Sequence, residues 1–595
     1  MQQVDFTTLR AAYSELHPDW IPARLEQVYQ RDRYTIALGL RTLKLRGWLT
    51  ISWHPQAARL CIGDPPPRTP DTFTFSQQLR HQLSGMALVA IDAIAPWERV
   101  LDLQFARRPG EPAIWHLYVE IMGKYSNVIL TAADNLIVTA AHQVSEKQSS
   151  VRPIQTGQPY EKPPSLTDPI PNISEPQDRW QERVSLIPGR LATRLLKSYR
   201  GLSSALVVSM IRVASLDPDQ STVSLEASDW NRLFIRWQEW LQIISGEAAE
   251  QEKNSSIQNP FHPGFTAEGY NVIGWGVVQP AATVQALLNR YYTDRLNQQE
   301  FAQLRHQLTQ KLGSILEKLR QKGSTFETRL QQSDRADEYR QQADLLMAHL
   351  QDWQPGMKAI ALPDFETNKP VTIPLEPEKN AIQNAQALYK RHQKLKRARN
   401  AVEPLLAEVK AEIQYLEQVE VSLTSLDTYK ISEDLQTLEE IRQELIEQGY
   451  LDAPAQRSPT ESDTSTPYRY RTPSGFELLI GRNNRQNDQL TFRVAGDYDL
   501  WFHTQEIAGS HVLMRLEPGS VADEADLQFA ADLAAYYSRG NRSDQVPVVY
   551  TEPKHVYKPK GAKPGMAIYK QERIIWGNPQ RGITYLATEI LQQKK

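Results

Sequence analysis

The sequence of 595 residues contains one cysteine, Cys61, which excludes an internal disulfide. Long apolar runs are also missing, because even residues 205–211 fall far short of the roughly 18 residues that a membrane-spanning helix needs. The first residues carry neither the basic nor the apolar segment of a secretory signal. We therefore expect a cytoplasmic protein without membrane contact.

An excess of charge of either sign is missing too, since 67 lysines and arginines face 70 aspartates and glutamates, a net charge of −3. Any affinity for RNA must then come from local patches. One basic cluster covers residues 390–399, and a second comprises Lys554, Lys558, Lys560, Lys563 and Lys570. Each cluster fits an RNA contact or a solvated helix face or loop equally well.

Familiar catalytic motifs are absent from the sequence. It contains no P-loop, no H-E-x-x-H, no C-x-x-C and no G-x-S-x-G, so we expect no NTPase, zinc enzyme or α/β-hydrolase chemistry and no cofactor. Asp497, Asp499, His503 and His511 could surround a metal ion. Two histidines in strand-and-turn sequence do not fix a coordination sphere, so we interpret these residues as structural.

Residues 1–170 mix short alternating segments with helix-like stretches, which predicts an α+β domain. Strands are expected at Tyr34–Leu40 and Trp48–Ser52, and a helix over Phe75–Leu83. From Tyr160 a proline-rich segment breaks regular structure, because proline lacks a backbone donor and restricts the preceding residue. We place a linker there.

A helical pattern covers residues 180–280. Within it, residues 195–204 join two apolar-periodic stretches through a glycine turn, which favours a helix-hairpin-helix-like arrangement. In such a hairpin the N–H groups that open the second helix can face a phosphate, with Ser203 or Ser204 as the N-cap. A plain helical hairpin has the same punctuation and stays open as the alternative.

Residues 283–450 predict a long antiparallel coiled-coil arm, because apolar residues recur at spacings close to three and four. The first seam comprises Phe301, Leu304, Leu308, Leu312, Ile315, Leu319, Phe326 and Leu330, and the second comprises Val402, Leu406, Val409, Ile413 and Leu416. Helices of roughly 50 to 70 residues would reach about 75 to 100 Å. Between the seams, residues 353–377 predict a small non-helical module partway along the arm or at its tip.

Residues 453–467 are polar and proline-bearing, which predicts a flexible linker. Residues 468–595 alternate strand-like pieces with a strong helix, Ala525–Tyr537, and predict a separate α+β domain. The sequence as a whole therefore predicts an α+β multidomain chain.

Motifs at both ends and in the middle carry a resemblance. Towards the C-terminus, Ile480–Thr491, Asp499–His503 and Gly509–Val512 follow one another. Towards the N-terminus, Val119–Leu130 contains Glu-Ile-Met-Gly-Lys-Tyr-Ser-Asn and follows the Leu-Arg-His-Gln-Leu-Ser-Gly of residues 79–85. Asn380–Gln386 opens the second coiled-coil stretch. In these residues and their order, the chain resembles the NFACT family, whose members include RqcH in bacteria and NEMF in animals.

The resemblance implies an N-terminal domain similar to Fpg-type DNA glycosylases, a helix-hairpin-helix region, the coiled-coil arm and a C-terminal NFACT-R RNA-binding domain. Family members bind large ribosomal subunits obstructed by peptidyl-tRNA, hold a tRNA, and promote template-free C-terminal tailing. We expect the large subunit, rRNA and tRNA, alanyl-tRNA in particular, as partners of a chain that is monomeric on the ribosome. The protein would position tRNA without being an enzyme, since the ribosome forms the peptide bond.

In the family an Asp-Arg pair is required for tRNA handling, and the matching residues here are Glu98 and Arg99. An arginine can fork onto a phosphate or a base edge, and the carboxylate can orient it or accept from cytosine. Glutamate in place of aspartate adds one methylene of reach. An ordinary surface ion pair is the alternative for these residues.

Two further groups of RNA contacts follow from the resemblance. The first consists of Glu120, Gly123, Lys124, Ser126 and Asn127, which also fit a simple tight turn. The second consists of Arg482, Asn483, Asn484, Arg485, Trp501, His503 and His511. Trp501 suits stacking on RNA or packing in a core.

Three other functions compete with this hypothesis. A DNA-glycosylase-like enzyme would need a proline amine after the initiator methionine, where this chain has Gln2. A fibronectin-binding surface adhesin would need export, for which the sequence offers no signal. A bare coiled-coil scaffold would not depend on Arg99.

Overall fold

The computed structural model describes residues 1–67, 70–149, 151–164, 167–245, 260–453 and 465–592. This described part divides into two compact units, Met1–Asn297 and Gln298–Pro454 with Asp463–Lys595. Both units contain helices and strands, which confirms the prediction of a mixed α and β multidomain chain. Among the described residues, no helix combines the length and apolarity needed to cross a membrane.

The first unit is organised around an antiparallel sheet. Its elements are α1 (Phe6–Trp20), β1 (Ala23–Asp32), β2 (Thr35–Arg41), β3 (Arg46–Ser52), β4 (Arg59–Gly63), α2 (Thr74–Leu83), β5 (Ala87–Ala93), β6 (Val100–Ala106), β7 (Trp115–Glu120), β8 (Asn127–Ala132) and β9 (Ile137–Ala140). The strands are ordered β4-β3-β2-β1-β5-β6-β7-β8-β9. The strands and the helix expected between residues 34 and 83 are confirmed as β2, β3 and α2.

The helix α1 begins where Asp5 accepts a hydrogen bond from the backbone N–H of Thr8 at 2.8 Å. Its buried face, with Leu9 and Leu16, packs on the sheet core that includes Leu38 and Leu103. The N-terminal segment is thereby fixed beside the start of β6, where Arg99 donates to the Val4 carbonyl.

Helices α3 (Gln177–Ser185), α4 (Leu191–Ser198), α5 (Ser204–Val213) and α6 (Ala227–Ser245) follow the sheet. Ser203 caps α5 by accepting from Leu206 N–H at 3.1 Å. The expected helical pattern holds to Ser245, but short strands β10 (Gly264–Phe265), β11 (Tyr270–Asn271) and β12 (Gln279–Pro280) occupy the end of the region predicted as helical. Glycine and proline punctuate these strands, which explains why no periodicity revealed them.

The second unit contains an antiparallel helical arm. It is formed from α7 (Val284–Asp334, 51 residues), which belongs to this unit from Gln298 onward, and from α8 (Ala336–Ala348), α9 (Ala381–Ser425, 45 residues) and α10 (Ser432–Glu447). Ion pairs join α7 to α9 at Arg320–Glu417 (2.9 Å), Glu327–Lys410 (2.8 Å) and Asp334–Arg399 (3.2 Å). As the first partner advances along the chain the second recedes, so the two helices run antiparallel. At 1.5 Å per residue, α7 is about 75 Å long.

The buried seam of α7 follows four-residue steps from Leu304. It comprises Phe301, Leu304, Leu308, Leu312 and Leu316, packed against Leu416, Val419, Leu438 and Ile441 of α9 and α10. Leu316 is 1% exposed, whereas Ile315, the predicted seam position, is only partly buried. Spacing alone allowed either Ile315 or Leu316 as the next seam residue after Leu312. Leu316 is the residue that packs into the core shared with α9 and α10.

The non-helical module predicted for residues 353–377 is a hairpin of β13 (Ala359–Pro363) and β14 (Pro370–Pro374) at the chain reversal between α8 and α9. Ile360 and Ile373 pack on Leu346 and Ala385 of the flanking helices. The Asn380–Gln386 motif opens α9 through a reciprocal cap between Asn380 and Gln383, with hydrogen bonds of 2.8 and 3.0 Å.

The C-terminal domain, within the second unit, is a second antiparallel sheet with helices. Its elements are β15 (Tyr468–Arg471), β16 (Glu477–Ile480), α11 (Asn484–Gln489), β17 (Leu500–Thr504), β18 (Val512–Met514), α12 (Glu524–Tyr536), β19 (Val546–Thr551), β20 (Val556–Tyr557), β21 (Ile568–Tyr569), β22 (Arg573–Gly577) and α13 (Pro579–Gln592). The main sheet has the order β15-β16-β18-β17-β19-β22. The helix α12 lies within one residue of its predicted bounds. Most of the predicted linker 453–467 lies outside the described residues.

The seam makes a paired prediction. Leu316→Ala should destabilise the arm by about 2 to 5 kcal/mol, because it empties a fully buried position, whereas Ile315→Ala should cost about 1 kcal/mol or less. Urea unfolding followed by the helical circular dichroism signal measures both. Equal losses in the two variants would show that the seam passes through residue 315.

Candidate functional site

A cleft of about 790 Å³ opens in the first unit between the N-terminal segment and the start of α5. Residues 1–5, Arg99, Ser203 and Arg212 contribute to its walls. The hydroxyl of Ser203 donates to Asp5 at 2.5 Å, which ties the two sides together. Sequence reasoning did not single out Asp5, whose only local signal is its place just before a helix.

Arg99 lines this cleft from the end of the turn that leads into β6, directly before Val100. Its guanidinium Nη1 donates to the carbonyl oxygen of Val4 at 3.3 Å. Burial lowers the pKa of Arg99, and the carboxylates of Asp5 and Glu98 act in the opposite direction. The side chain is thus a largely desolvated cation that lines the cleft.

Glu98 lies beside Arg99 but turns towards the α4–α5 connection. Its carboxylate is 3.7 Å from Nη1 of Arg200, and both side chains are largely buried. The alternative of an exposed surface ion pair therefore does not describe Glu98. Whether the pair of residues contacts tRNA stays a prediction.

Trp97 fixes the backbone that presents Glu98 and Arg99. It adopts a left-handed conformation with φ of 63°, which an L-residue seldom occupies. Its ring stacks on Phe6 (centroids 4.7 Å apart) and meets Trp240 edge-on at 5.6 Å. A Cβ at Gly201 would lie 2.5 Å from Cε3 of Trp97, so the turn before α5 needs glycine for this contact.

The Gly-Lys-Tyr-Ser-Asn segment forms a tight turn next to the cleft. Gly123 has φ of 56° and faces the side chain of Gln3. Ser126 closes the turn by accepting from Met122 N–H and donating to the Gly123 carbonyl, both at 2.8 Å. Asn127 is buried and bonds the backbone of His142 with both its amide groups. The segment is thus a tight turn, and an RNA contact by its residues stays a prediction.

Glu120 is also engaged inside the protein. Its carboxylate, 1% exposed, accepts from Arg152 (Nη1, 3.0 Å) and from the hydroxyl of Tyr160 (2.9 Å). The turn leaves Lys124 and Tyr125 exposed, with the lysine Nζ 4.9 Å from the ring centroid. Tyr125, 71% exposed, was not among the predicted contacts although it lies within the motif.

Gln2 is held by hydrogen bonds at the back of the cleft. Its side-chain Nε2 donates to the Tyr270 carbonyl at 3.0 Å, and its side-chain Oε1 accepts from Tyr270 N–H at 3.1 Å. Its backbone N–H donates to the Tyr291 hydroxyl at 3.0 Å. At this position, then, the chain presents an anchor and no side-chain nucleophile.

The Gly-Arg-Asn-Asn-Arg motif of the second unit binds the acidic helix α10. Arg482 forms an ion pair with Asp434, and the two side chains are 2% and 6% exposed. The guanidinium also lies over the ring of Tyr468 at 4.4 Å. We call this contact and the three that follow it the α10 latch.

The rest of the latch pairs successive motif residues with acids on successive turns of α10. Asn483 donates to Glu440 at 2.6 Å and Asn484 donates to Glu444 at 3.0 Å. Arg485 pairs with Glu447 at 2.5 Å. Residues 440, 444 and 447 share one helix face, so the motif follows that face. An RNA contact by the four motif residues stays a prediction, and it would compete with these contacts.

Trp501, His503 and His511 form an aromatic cluster under the C-terminal sheet. Trp501 stacks on His503 with centroids 5.7 Å apart, and His511 meets both rings edge-on at 5.2 and 5.3 Å. Burial lowers the pKa of His503 to about 4 and that of His511 well below its usual value. Both imidazoles are neutral at pH 7, and Trp501 belongs to the core.

Asp499 has a structural role beside this cluster. Its carboxylate accepts from Gly496 N–H (2.8 Å) and Leu516 N–H (3.0 Å) and pairs with Arg515 at 3.0 Å. Within the described ranges, no three histidine, cysteine, aspartate or glutamate side chains come together in a way that could hold a metal ion.

The α10 latch predicts a large effect of a single substitution. Arg482→Met should destabilise the second unit by about 3 to 5 kcal/mol, because it leaves the Asp434 carboxylate buried without its partner. Arg469→Met removes the exposed pair of Arg469 with Glu477 in the same domain and should change stability by less than about 0.5 kcal/mol. Urea unfolding of both variants is the measurement, and equal effects would contradict a buried latch.

The histidine cluster predicts a pH dependence. Because His503 has a lower pKa folded than unfolded, the unfolded chain binds more protons between pH 6.5 and about 4, and stability falls as pH falls through that window. The stability advantage of the parent over His503→Gln should shrink by about 3 kcal/mol from pH 7 to pH 4. Hydrogen exchange of the β17 peptide, corrected for intrinsic rate, reports it. A constant difference across this range would contradict the prediction.

Comparison with known proteins gives relatives that extend along almost the whole chain. It is 29% identical over 573 residues to the Rqc2 homolog RqcH of Bacillus subtilis, covering 95% of this chain and 96% of that one. It is 28% identical over 571 residues to the Rqc2 homolog RqcH of Streptococcus pneumoniae, with the same coverage.

Solved structures cover the two halves separately. The C-terminal part of the fibronectin/fibrinogen-binding protein from Streptococcus suis is 32% identical, with a TM-score of 0.36, and covers 47% of this chain and 95% of that one. The N-terminal part of the same protein is 21% identical, with a TM-score of 0.37, and covers 49% of this chain and 100% of that one.

Family models match the chain on both sides of the predicted linker. The NFACT N-terminal and middle domains match residues 5–464, and the NFACT protein RNA binding domain matches residues 466–570. The first of these alone covers well over half of the sequence. The chain therefore belongs to the NFACT family.

Proposed function

We propose that this protein is a ribosome-associated quality control factor. It binds large ribosomal subunits obstructed by peptidyl-tRNA, recruits alanyl-tRNA, and promotes template-free C-terminal tailing of the stalled chain. The ribosome forms each peptide bond, and the protein contributes by holding the tRNA in place, which removes the entropic cost of bringing reactants together. It acts as a cytoplasmic monomer without a cofactor.

The observation that carries this proposal is that Arg99 lines the cleft while the exposed Lys124 and Tyr125 lie on a turn beside it. Arg99 lines the cleft, and the turn with Lys124 and Tyr125 contacts Gln3, which lines it too. A desolvated arginine, an exposed lysine and an exposed tyrosine offer a phosphate fork, a point charge and a stacking ring. The likeness to RqcH over 95% of the chain supports the ribosomal setting.

The motif residues divide into two roles in this proposal. Arg99, Lys124 and Gly123 touch RNA, whereas Glu120, Ser126 and Asn127 hold the turn in shape. Glu98 acts through Arg200 and Trp97 on the position of Arg99. The longer side chain of glutamate suits this role, because its carboxylate has to span to Arg200.

The connection between α4 and α5 serves as the helix-hairpin-helix element of the N-terminal fold in this proposal. Ser203, Ser204 and Ala205 line the cleft at the N-terminus of α5, where unpaired N–H groups favour an anion. Arg99 and Arg212 line the same space. A tRNA backbone phosphate is the anion that we assign to this position.

Replacing Glu98 and Arg99 together by alanine should abolish alanine tailing and leave binding to obstructed subunits within about threefold. The substitution removes the tRNA contact together with the Glu98–Arg200 pair and the hydrogen bond to the Val4 carbonyl, so retained subunit binding has to show that the first unit is folded. Reconstitution with obstructed large subunits and alanyl-tRNA, read out by mass spectrometry of the nascent chain, measures tailing. Co-sedimentation measures subunit binding and reports folding.

The matched control replaces Glu26 and Arg41, another glutamate–arginine pair of the same unit, which lies on the exposed side of the sheet at 3.4 Å. This variant should tail at the parental rate. Sequencing of the tRNA that copurifies should show enriched alanine isoacceptors for parent and control only. Tailing that survives in the Glu98/Arg99 variant would remove these residues from the site.

A further inference from the structure

A second cavity, of about 330 Å³, lies in the second unit beside the histidine cluster. One wall is formed by Trp501, His503 and Tyr569 of the C-terminal domain, and the opposite wall by Gln414 and Gln418 of α9. Its size is at the small end of the range for small-ligand sites, enough for one planar ring system.

Flat rings form the first wall. Tyr569 lies against Trp501 with centroids 5.7 Å apart, and Trp501 lies against His503 at the same distance. Trp501 is itself buried, so the rings that an occupant can reach are those of the partly exposed His503 and Tyr569. Successive rings of this kind favour stacking of a further aromatic ring.

Amide groups supply the polar contacts on the opposite wall. Gln418 is buried and fixed by accepting from Gly509 N–H at 3.1 Å, while Gln414 is exposed at the cavity edge. An amide carries both a donor and an acceptor, which matches the edge of a base. The wall therefore suits hydrogen bonding to a neutral planar group.

Two carboxylates, those of Glu417 and Glu506, line the cavity. Glu417 lines it, but Arg320 and Arg539 pair with this carboxylate at 2.9 and 2.6 Å. The imidazoles of His503 and His511 stay uncharged because burial lowers the pKa of each. Burial raises the pKa of the Tyr569 hydroxyl and Glu506 lies near enough to raise it further, so among the described residues arginines neutralise only Glu417 of the two carboxylates.

From this geometry we propose that the cavity receives a single unstacked RNA nucleobase. The base stacks on Tyr569, and the side-chain amides of Gln414 and Gln418 form hydrogen bonds with its edge. The proposal rests on the proposed function in that it takes the chain to bind RNA, and it adds a site that reads a base where the first unit reads backbone.

The test uses the full chain and fluorescein-labelled RNA hexamers, r(A)6, r(C)6 and r(U)6, with an abasic hexamer of the same backbone. At least one base-bearing hexamer should bind at least tenfold more tightly than the abasic one. Tyr569→Ala should remove about tenfold of that affinity and leave abasic binding unchanged. Ala567→Phe, which fills the cavity without removing a ring, should have the same effect.

Tyr557→Ala is the matched control. Tyr557 is an exposed tyrosine on β20, paired with β21, and does not line the cavity. It should leave all four affinities unchanged, and thermal melting of each variant checks folding. An effect of Tyr557→Ala as large as that of Tyr569→Ala would place the base elsewhere and overturn the cavity assignment.

Equal binding of abasic and base-bearing hexamers, or no binding of any hexamer, would overturn the base site. So would Tyr569-dependent binding of an arginine-containing tripeptide that RNA does not displace, because it would assign the cavity to a protein partner. None of these results bears on co-sedimentation with obstructed subunits, which tests the proposed function by itself.

Discussion

The buried ion pair between Arg482 and Asp434 is the contact on which the second unit depends. Both side chains are out of water, so neither charge is tolerable without the other. The pair fixes the C-terminal domain to α10, and Glu444 extends the connection to α9 through the hydroxyl of Tyr415 at 2.7 Å. Direct contacts of α9 with the domain, Gln418 with Gly509 and Glu417 with Arg539, hold the two walls of the cavity together with this attachment. The motif of residues 481–485 in the RNA-binding domain thus also attaches that domain to α10.

The first unit meets a similar constraint with aromatic packing in place of charge. Trp97 holds an unfavourable backbone conformation, which persists because Phe6, Trp240 and the bare face of Gly201 surround its ring. Because the backbone of Trp97 is fixed, the positions of the next two residues, Glu98 and Arg99, are fixed as well. Preorganisation of this kind lets an arginine bind RNA without first losing side-chain entropy.

Periodicity alone was sufficient to predict the arm, the strands β2 and β3 and the helix α12, because each has a regular pattern of apolar residues. It could not choose between Ile315 and Leu316, since both satisfy the spacing and only the third helix decides. The resemblance predicted RNA contacts for Arg482 and its neighbours, whereas in the structure these side chains contact α10. The partner of a polar side chain depends on what tertiary structure brings opposite to it, which a single sequence does not record. Tyr125 escaped notice because exposure of an aromatic ring has no local signature.

The length of the helical arm can change only in fixed steps. Its two long helices interlock along their seam, with Gly323 close enough to Val409 that a Cβ would stand 3.6 Å from Cγ1. Lengthening one helix alone would break this interlock, so both must grow together by whole seam repeats. Each heptad adds about 10 Å. The position of the β13–β14 hairpin along the arm can therefore change only by whole seam repeats.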